Sequence, residues 1–109
     1  MSLSEADIAF ATELFDGLPD LTTRRMFGGM GIYSQGLIFA LLHSDGQIMI
    51  KSTGGTFADE LTALGAAKWT YTRKDGAASS MPYYSLPEAA VEDAELALDL
   101  GQRALAALN

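Results

Sequence analysis

The chain has 109 residues, a net charge of −7 and no cysteine. That length suits one domain with a single core. The missing cysteine excludes disulfides, thiolate catalysis and cysteine zinc sites, and the acidic balance disfavours autonomous binding to a phosphate backbone.

Ser4 opens a first helix, with Asp7 three positions on as a short capping partner. Ile8, Ala11, Phe15 and Leu18 recur at helical spacing, flanked by Phe10 and Leu14, and Gly17 with Pro19 stops the run. Met1 to Leu3 precede the helix signal and read as a cloning scar, which leaves one domain over residues 4–108. Thr22 to Gly28, Gly29 to Tyr33 and Leu37 to His43 read as strands, with Gln35-Gly36 turning the chain before the third. Asp45-Gly46 is a hairpin signal ahead of Gln47 to Lys51.

Thr56 is placed to cap a short helix carrying Phe57, Leu61 and Leu64 on one stripe, ended by Gly65. Lys68 to Arg73 reads as a strand with Trp69 and Tyr71 on one face. Residues 75–80 read as a turn or mobile loop, and Met81 to Leu86 as a last strand, irregular or at an edge because of Pro82. Pro87 then starts a closing helix. One stripe of it carries Val91, Leu98, Leu105 and Leu108, and another carries Ala90, Ala94, Ala97, Gly101 and Ala104. The small stripe suits close packing on the domain's own sheet, or a helix-to-helix dimer contact. A break near Val91 would let Asp93 act as a local cap.

Hairpin turns dominate and long crossovers are few, so the fold class is α+β with a mainly antiparallel sheet. Charge is uneven along it. Residues 1–20 carry five acids and no base, residues 21–87 six bases and four acids, and residues 88–109 five acids and one base. Acidic solvated helix faces explain the ends. No apolar stretch reaches the ~18–20 residues of a membrane span, and there is no basic-then-apolar leader, so a cytoplasmic location is expected.

The run Arg25-Met26-Phe27-Gly28-Gly29-Met30-Gly31-Ile32-Tyr33 resembles the signature of the TfoX N-terminal domain family. Gly36-x-x-Phe39-Ala40, Ile48-Met49-Ile50-Lys51, Trp69-x-Tyr71 and Met81-Pro82-Tyr83-Tyr84-Ser85-Leu86-Pro87 resemble later stretches of that family, in the same order. The resemblance implies a secretion-chaperone-like fold with five strands and three helices in the order α-β-β-β-α-β-β-α, some strands being split. It implies the motif positions Arg25, Met26, Phe27, Gly28, Gly29, Gly31 and Tyr33. Full-length members are bacterial regulators of natural competence, thought to act with a cyclic-AMP-responsive transcription factor. This chain ends after the N-terminal domain, so the expectation is a stand-alone member.

The glycines invite comparison with a phosphate loop. They lack the G-x-x-x-x-G-K-[ST] and G-x-G-x-x-G spacings and lie between strands, so a bend or bulge at Gly28-Gly29 explains them better, with Met26, Phe27, Ile32 and Tyr33 filling core around it. Arg24 and Arg25 are strand neighbours and should face opposite sides. Guanidinium binds carboxylate bidentately, so they are candidates for contact with an acidic partner, extended by Lys51 and Arg73. Tyr83 and Tyr84 also face opposite sides, and exposed tyrosine beside arginine suits protein-interaction hot spots. His43 has no second histidine for a metal site and no assembled nucleophile nearby; Ser79 and Ser80 sit in the loop. Asp59-Glu60 and Glu92-Asp93 are adjacent on helices and point about 100° apart, which suits solvated faces.

No catalytic, cofactor or metal residues are assigned. The leading expectation is a non-catalytic regulatory or protein-interaction domain, a homodimer with an unidentified protein partner, a transcription factor among the candidates, and no membrane or direct nucleic-acid binding alone. The alternatives are a transcription co-regulator that reaches DNA only through a partner, and a small ligand-binding protein or enzyme.

Overall fold

The computed structural model describes residues 4–26, 28–72 and 74–108. Helix α1 (Glu5–Leu14) is followed by strands β1 (Leu21–Met26), β2 (Gly29–Ser34), β3 (Leu37–Leu42) and β4 (Ile48–Lys51). Helix α2 (Gly55–Ala63), strands β5 (Lys68–Thr72) and β6 (Ala78–Ser85), and helices α3 (Glu88–Val91) and α4 (Ala94–Leu108) complete the order. The α+β class and the antiparallel sheet are as expected. The described residues form six strands and four helices rather than five and three.

Local chemistry explains most boundaries. Ser4 Oγ accepts the Asp7 N–H at 3.1 Å and caps α1. Gln35 and Gly36 both have positive φ, 51° and 80°, the geometry that matches the twist of a two-residue hairpin. In the β3–β4 turn Asp45 Oδ1 accepts the Gln47 N–H at 2.9 Å, and Gly46 takes φ 92°. The closing helix is broken. After α3, Asp93 Oδ1 accepts the N–H groups of Glu95 at 3.0 Å and Leu96 at 3.3 Å, restarting the chain as α4. Both orphan donors are satisfied by one carboxylate, so the break costs little.

The sheet order is β1-β2-β3-β4-β6-β5, with every neighbouring pair antiparallel. Its ladders place β1 and β5 at the edges and β6 inside. Pro82, expected at an edge or an irregularity, lies in this interior strand. It falls where the β5–β6 register shifts, and its carbonyl accepts the Ser52 N–H at 3.0 Å. The bulge accommodates the missing donor.

All four helices cover one face. The main core joins Ala11, Phe15 and Leu18 with Phe57 and Leu61, Ala90, and Ala97, Leu100 and Ala104, against Ile32, Phe39, Ala40, Leu42, Ile48 and Ile50 of the sheet. The small-residue stripe of α4 is therefore used inside the domain. A Cβ on Gly101 would lie 3.2 Å from Leu18 and 3.3 Å from Phe15, so this helix approaches its neighbours closely because glycine is there. Ala97, Gly101 and Ala104 are buried in this packing, whereas Ala94 is exposed.

Several local expectations are corrected. Strand β1 is Leu21–Met26; Gly28, at φ 74°, belongs to the β1–β2 turn, and Gly29 opens β2 opposite Met26, so the pair lies at a hairpin instead of bulging one strand. The register shift falls later, between Ile32 and Tyr33. Helix α2 starts after Gly54 without a side-chain cap, so Thr56 does not cap it, and Leu64 at its end is exposed. Residues 78–80 are strand rather than loop, because they pair with 70–72. Phe27 and Arg73 lie outside the described residues.

Candidate functional site on the open face of the sheet

Among the described residues, no helix packs on the second face of the sheet. Strand pairing tells which side chains share it. Thr22, Arg24 and Met26 stand opposite Tyr33, Gly31 and Gly29; Gly31 stands opposite Leu41, Leu41 opposite Met49, and Lys51 opposite Tyr83. Alternate residues point to one side, so these side chains form one surface. Leu41, Met49 and Tyr83 make a second buried cluster, with Trp69 and Met81 packed against it, and every member comes from a strand.

Aromatic and cationic groups interleave across this surface. The Arg24 guanidinium lies 6.0 Å from the Tyr33 ring centroid and the Lys51 ammonium 6.0 Å from that of Tyr83. Trp69 meets Tyr83 edge-on at 6.4 Å and His43 edge-on at 5.2 Å. His43 Nδ1 is 3.1 Å from Asp45 Oδ1 in the following turn. Burial, and secondarily the phenol of Tyr33, push the Tyr83 hydroxyl above its ordinary value of 10.0. Tyr83 is thus a neutral anchor beside an ammonium group.

Gly31 makes this packing possible. A Cβ there would stand 2.6 Å from Met26 Sδ, 3.0 Å from Ile38 and 3.1 Å from Tyr33. Those three side chains fill the space that a side chain at position 31 would take. Gly29 meets backbone instead: a Cβ on it would collide with the Leu42 carbonyl. The three motif glycines therefore have three different structural jobs. Met26 and Tyr33 belong to the open face and not to the main core as expected, whereas Ile32 is buried in that core.

Charge separates along the same geometry. All 14 acids lie outside the six strands, whereas Arg24, Arg25, Lys51 and Lys68 lie within them. The sheet is cationic and the helices and turns are acidic.

Of the interaction residues expected from the sequence, Arg24, Lys51 and Tyr83 come together on this face. Arg25 is exposed and stands opposite Met30, which packs on the main core, so it lies on the helix side at the β1 edge. Tyr84 stands opposite Ile50 and packs on the main core. Leu41, Met49 and Met81 add apolar contacts to the face, and His43, which the sequence leaves without a metal or catalytic partner, packs edge-on against Trp69. Alternation within Ile48–Lys51 carried the signal for Met49, whereas His43 needed the turn geometry. Among the described residues, no three His, Asp or Glu side chains gather as metal ligands, and no helix is long and apolar enough to cross a membrane.

A family model described as the TfoX N-terminal domain matches residues 13–108. The chain belongs to this family. No curated protein matches it. The TfoX signature stretch, Arg25 to Tyr33, thus maps onto the β1–β2 hairpin, where its glycines serve backbone turning, strand contact and side-chain packing.

Proposed function

We propose that this TfoX-type domain is a non-catalytic regulatory module that binds a protein partner through the open face of its sheet. One observation carries the reading. An apolar and aromatic centre, built from Leu41, Met49, Trp69 and Tyr83, is bordered by Arg24 and Lys51 on a sheet free of carboxylates. Leu41, Met49 and Tyr83 are already buried within the domain and form the floor, so contact falls to the partly exposed Tyr33, Trp69 and Met81 with Arg24 and Lys51 beside them, and the charge selects an acidic partner surface. Nucleobases also stack on such platforms. The net charge of −7 works against a polyanion, so DNA is reached through a partner protein. The family's regulators of competence supply a precedent for that arrangement, and a cytoplasmic location fits it.

A photo-crosslinking residue placed at Met81 on the open face, and separately at Gln102 on α4, tests this in cells of the source organism. The expected result is a crosslinked protein from position 81 that disappears when Arg24→Glu and Lys51→Glu are added, with none from position 102. Equal products from both positions, or products indifferent to the charge reversals, would overturn the proposal.

A further inference from the structure

Three large apolar side chains are exposed among the described residues: Phe10 at 43%, Leu64 at 45% and Val91 at 36%. Two of them lie beside the same clefts. Phe10 and Val91 both line a cleft of about 420 Å³ that includes Ile48 and Leu86, and both line a second cleft of about 250 Å³ that includes Leu14. They form an apolar ridge between two grooves, on the helical side of the molecule. Helix α1 does not need Phe10 for its core, because Ala11 and Leu14 supply its buried positions. Val91 ends the four-residue helix α3, just before the break.

The surroundings of the ridge are of one sign. Glu88 borders the first cleft, Glu13 and Glu92 the second, and no residue lining either is a cation. Apolar side chains framed by carboxylates are complementary to a segment that is apolar on one side and basic on its flanks. We propose that this ridge docks a basic amphipathic segment of a partner protein. Its apolar side chains lie over Phe10 and Val91, and its lysines or arginines face Glu13, Glu88 and Glu92. Other occupants fit worse. A second copy docking by the same face would set these carboxylates against their own kind across a two-fold axis. An anionic membrane or a nucleic acid is repelled. The cationic open sheet of a second copy has the matching charge, but such a heterologous contact would build rings or open chains of many copies. The ridge and the open sheet select partners of opposite charge from opposite sides of one sheet, so a single domain can hold both at once.

The probe is a synthetic helical peptide of alternating leucine and lysine faces, titrated into the full chain and followed by backbone amide shifts. Saturable binding is expected, with shifts centred on Phe10, Gly46 and Val91. Phe10→Ser should weaken it about tenfold, the loss typical of an anchor residue. Glu88→Lys with Glu92→Lys should weaken it and flatten its salt dependence, whereas Asp59→Lys, an exposed acid on α2, should not. Thermal melts of the variants should match the parent, because these side chains are exposed. The proposal is overturned by shifts spread over the acidic surface or centred on the sheet, by equal losses from Asp59→Lys, or by concentration-dependent growth of the chain alone in light scattering.

Discussion

Gly29 passes so close to the carbonyl of Leu42 that an added Cβ would overlap its oxygen and lie 3.1 Å from its carbon. The neighbour is backbone of a paired central strand, which cannot swing aside as a side chain can. Gly29→Val should therefore destabilise the domain by about 3 kcal/mol, at the top of the range for overpacking, and Gly29→Ala by about 2 kcal/mol. Urea melts check this. Native-like midpoints for both variants would show that the strand has slack.

Gly28 faces the opposite demand. Its φ of 74° needs a residue that tolerates the left-handed region, and an added Cβ would meet only the Ser44 Cβ at 3.6 Å, an ordinary contact. Gly28→Asn should cost under about 1 kcal/mol and Gly28→Val clearly more. The contrast between positions 28 and 29, read by the same urea melts, separates turn geometry from strand contact.

At Gly101 two effects compete. Alanine gains about 1 kcal/mol of helix propensity. Its Cβ meets side-chain atoms of Leu18, Phe15 and Phe39 at 3.2 to 3.4 Å, which must give by a few tenths of an ångström. Gly101→Ala should land within about 1 kcal/mol of the parent. Gly101→Leu has no room and should cost about 3 kcal/mol. Calorimetric melting of the two variants decides between packing and propensity as the reason for glycine.

Asp93 restarts the closing helix by itself. Asp93→Ala should cost about 1 kcal/mol, and Asp93→Asn much less, since an amide oxygen can still accept from Glu95 and Leu96. Amide exchange at residues 95 and 96 should rise in the alanine variant. Unchanged protection there would mean that the carboxylate is not the cap.

Tyr83 predicts an alkaline limit to stability. Its folded pKa is raised by burial and by Tyr33, while the unfolded phenol ionises near 10.0. Below that value both states hold the proton and the stability is complete. As pH rises through the folded value the unfolded chain gives up its proton first, so stability falls. Tyr83→Phe should flatten the alkaline arm of the stability profile, and tyrosinate absorbance should lose its latest-titrating component. Parallel alkaline arms for parent and variant would contradict this. Arg24→Ala, by contrast, removes an exposed cation over Tyr33 and should cost less than about 1 kcal/mol.

Short-range chemistry made much of the fold legible. Ser4 capping α1, Gln35-Gly36 turning β2 into β3, Asp45-Gly46 turning β3 into β4, and Gly65 with φ 96° closing α2 each act within a few residues. The site was legible in part. Arg24, Lys51 and Tyr83 were recognisable as polar or amphipathic strand residues, but their convergence depends on cross-strand register over three separate ladders. Ser79 and Ser80 were misread because Gly76 and the small residues after it look like a loop, while pairing with residues 70–71 holds them extended.

The sequence alone determined the α+β class, the family signature, the hairpin turns and the acidic balance, because each is written in local spacing or simple counting. Only the tertiary structure decided that Tyr83 joins the helix-free face of the sheet and Tyr84 the helix-covered one, that α4 uses its small residues against Phe15 and Leu18, and that Phe10 and Val91 line the same two clefts. Those outcomes depend on strand register and on which helix reaches the sheet first. A single-residue slip would exchange the two faces of a strand. Contacts made between residues far apart in the chain, not local preference, choose among such alternatives.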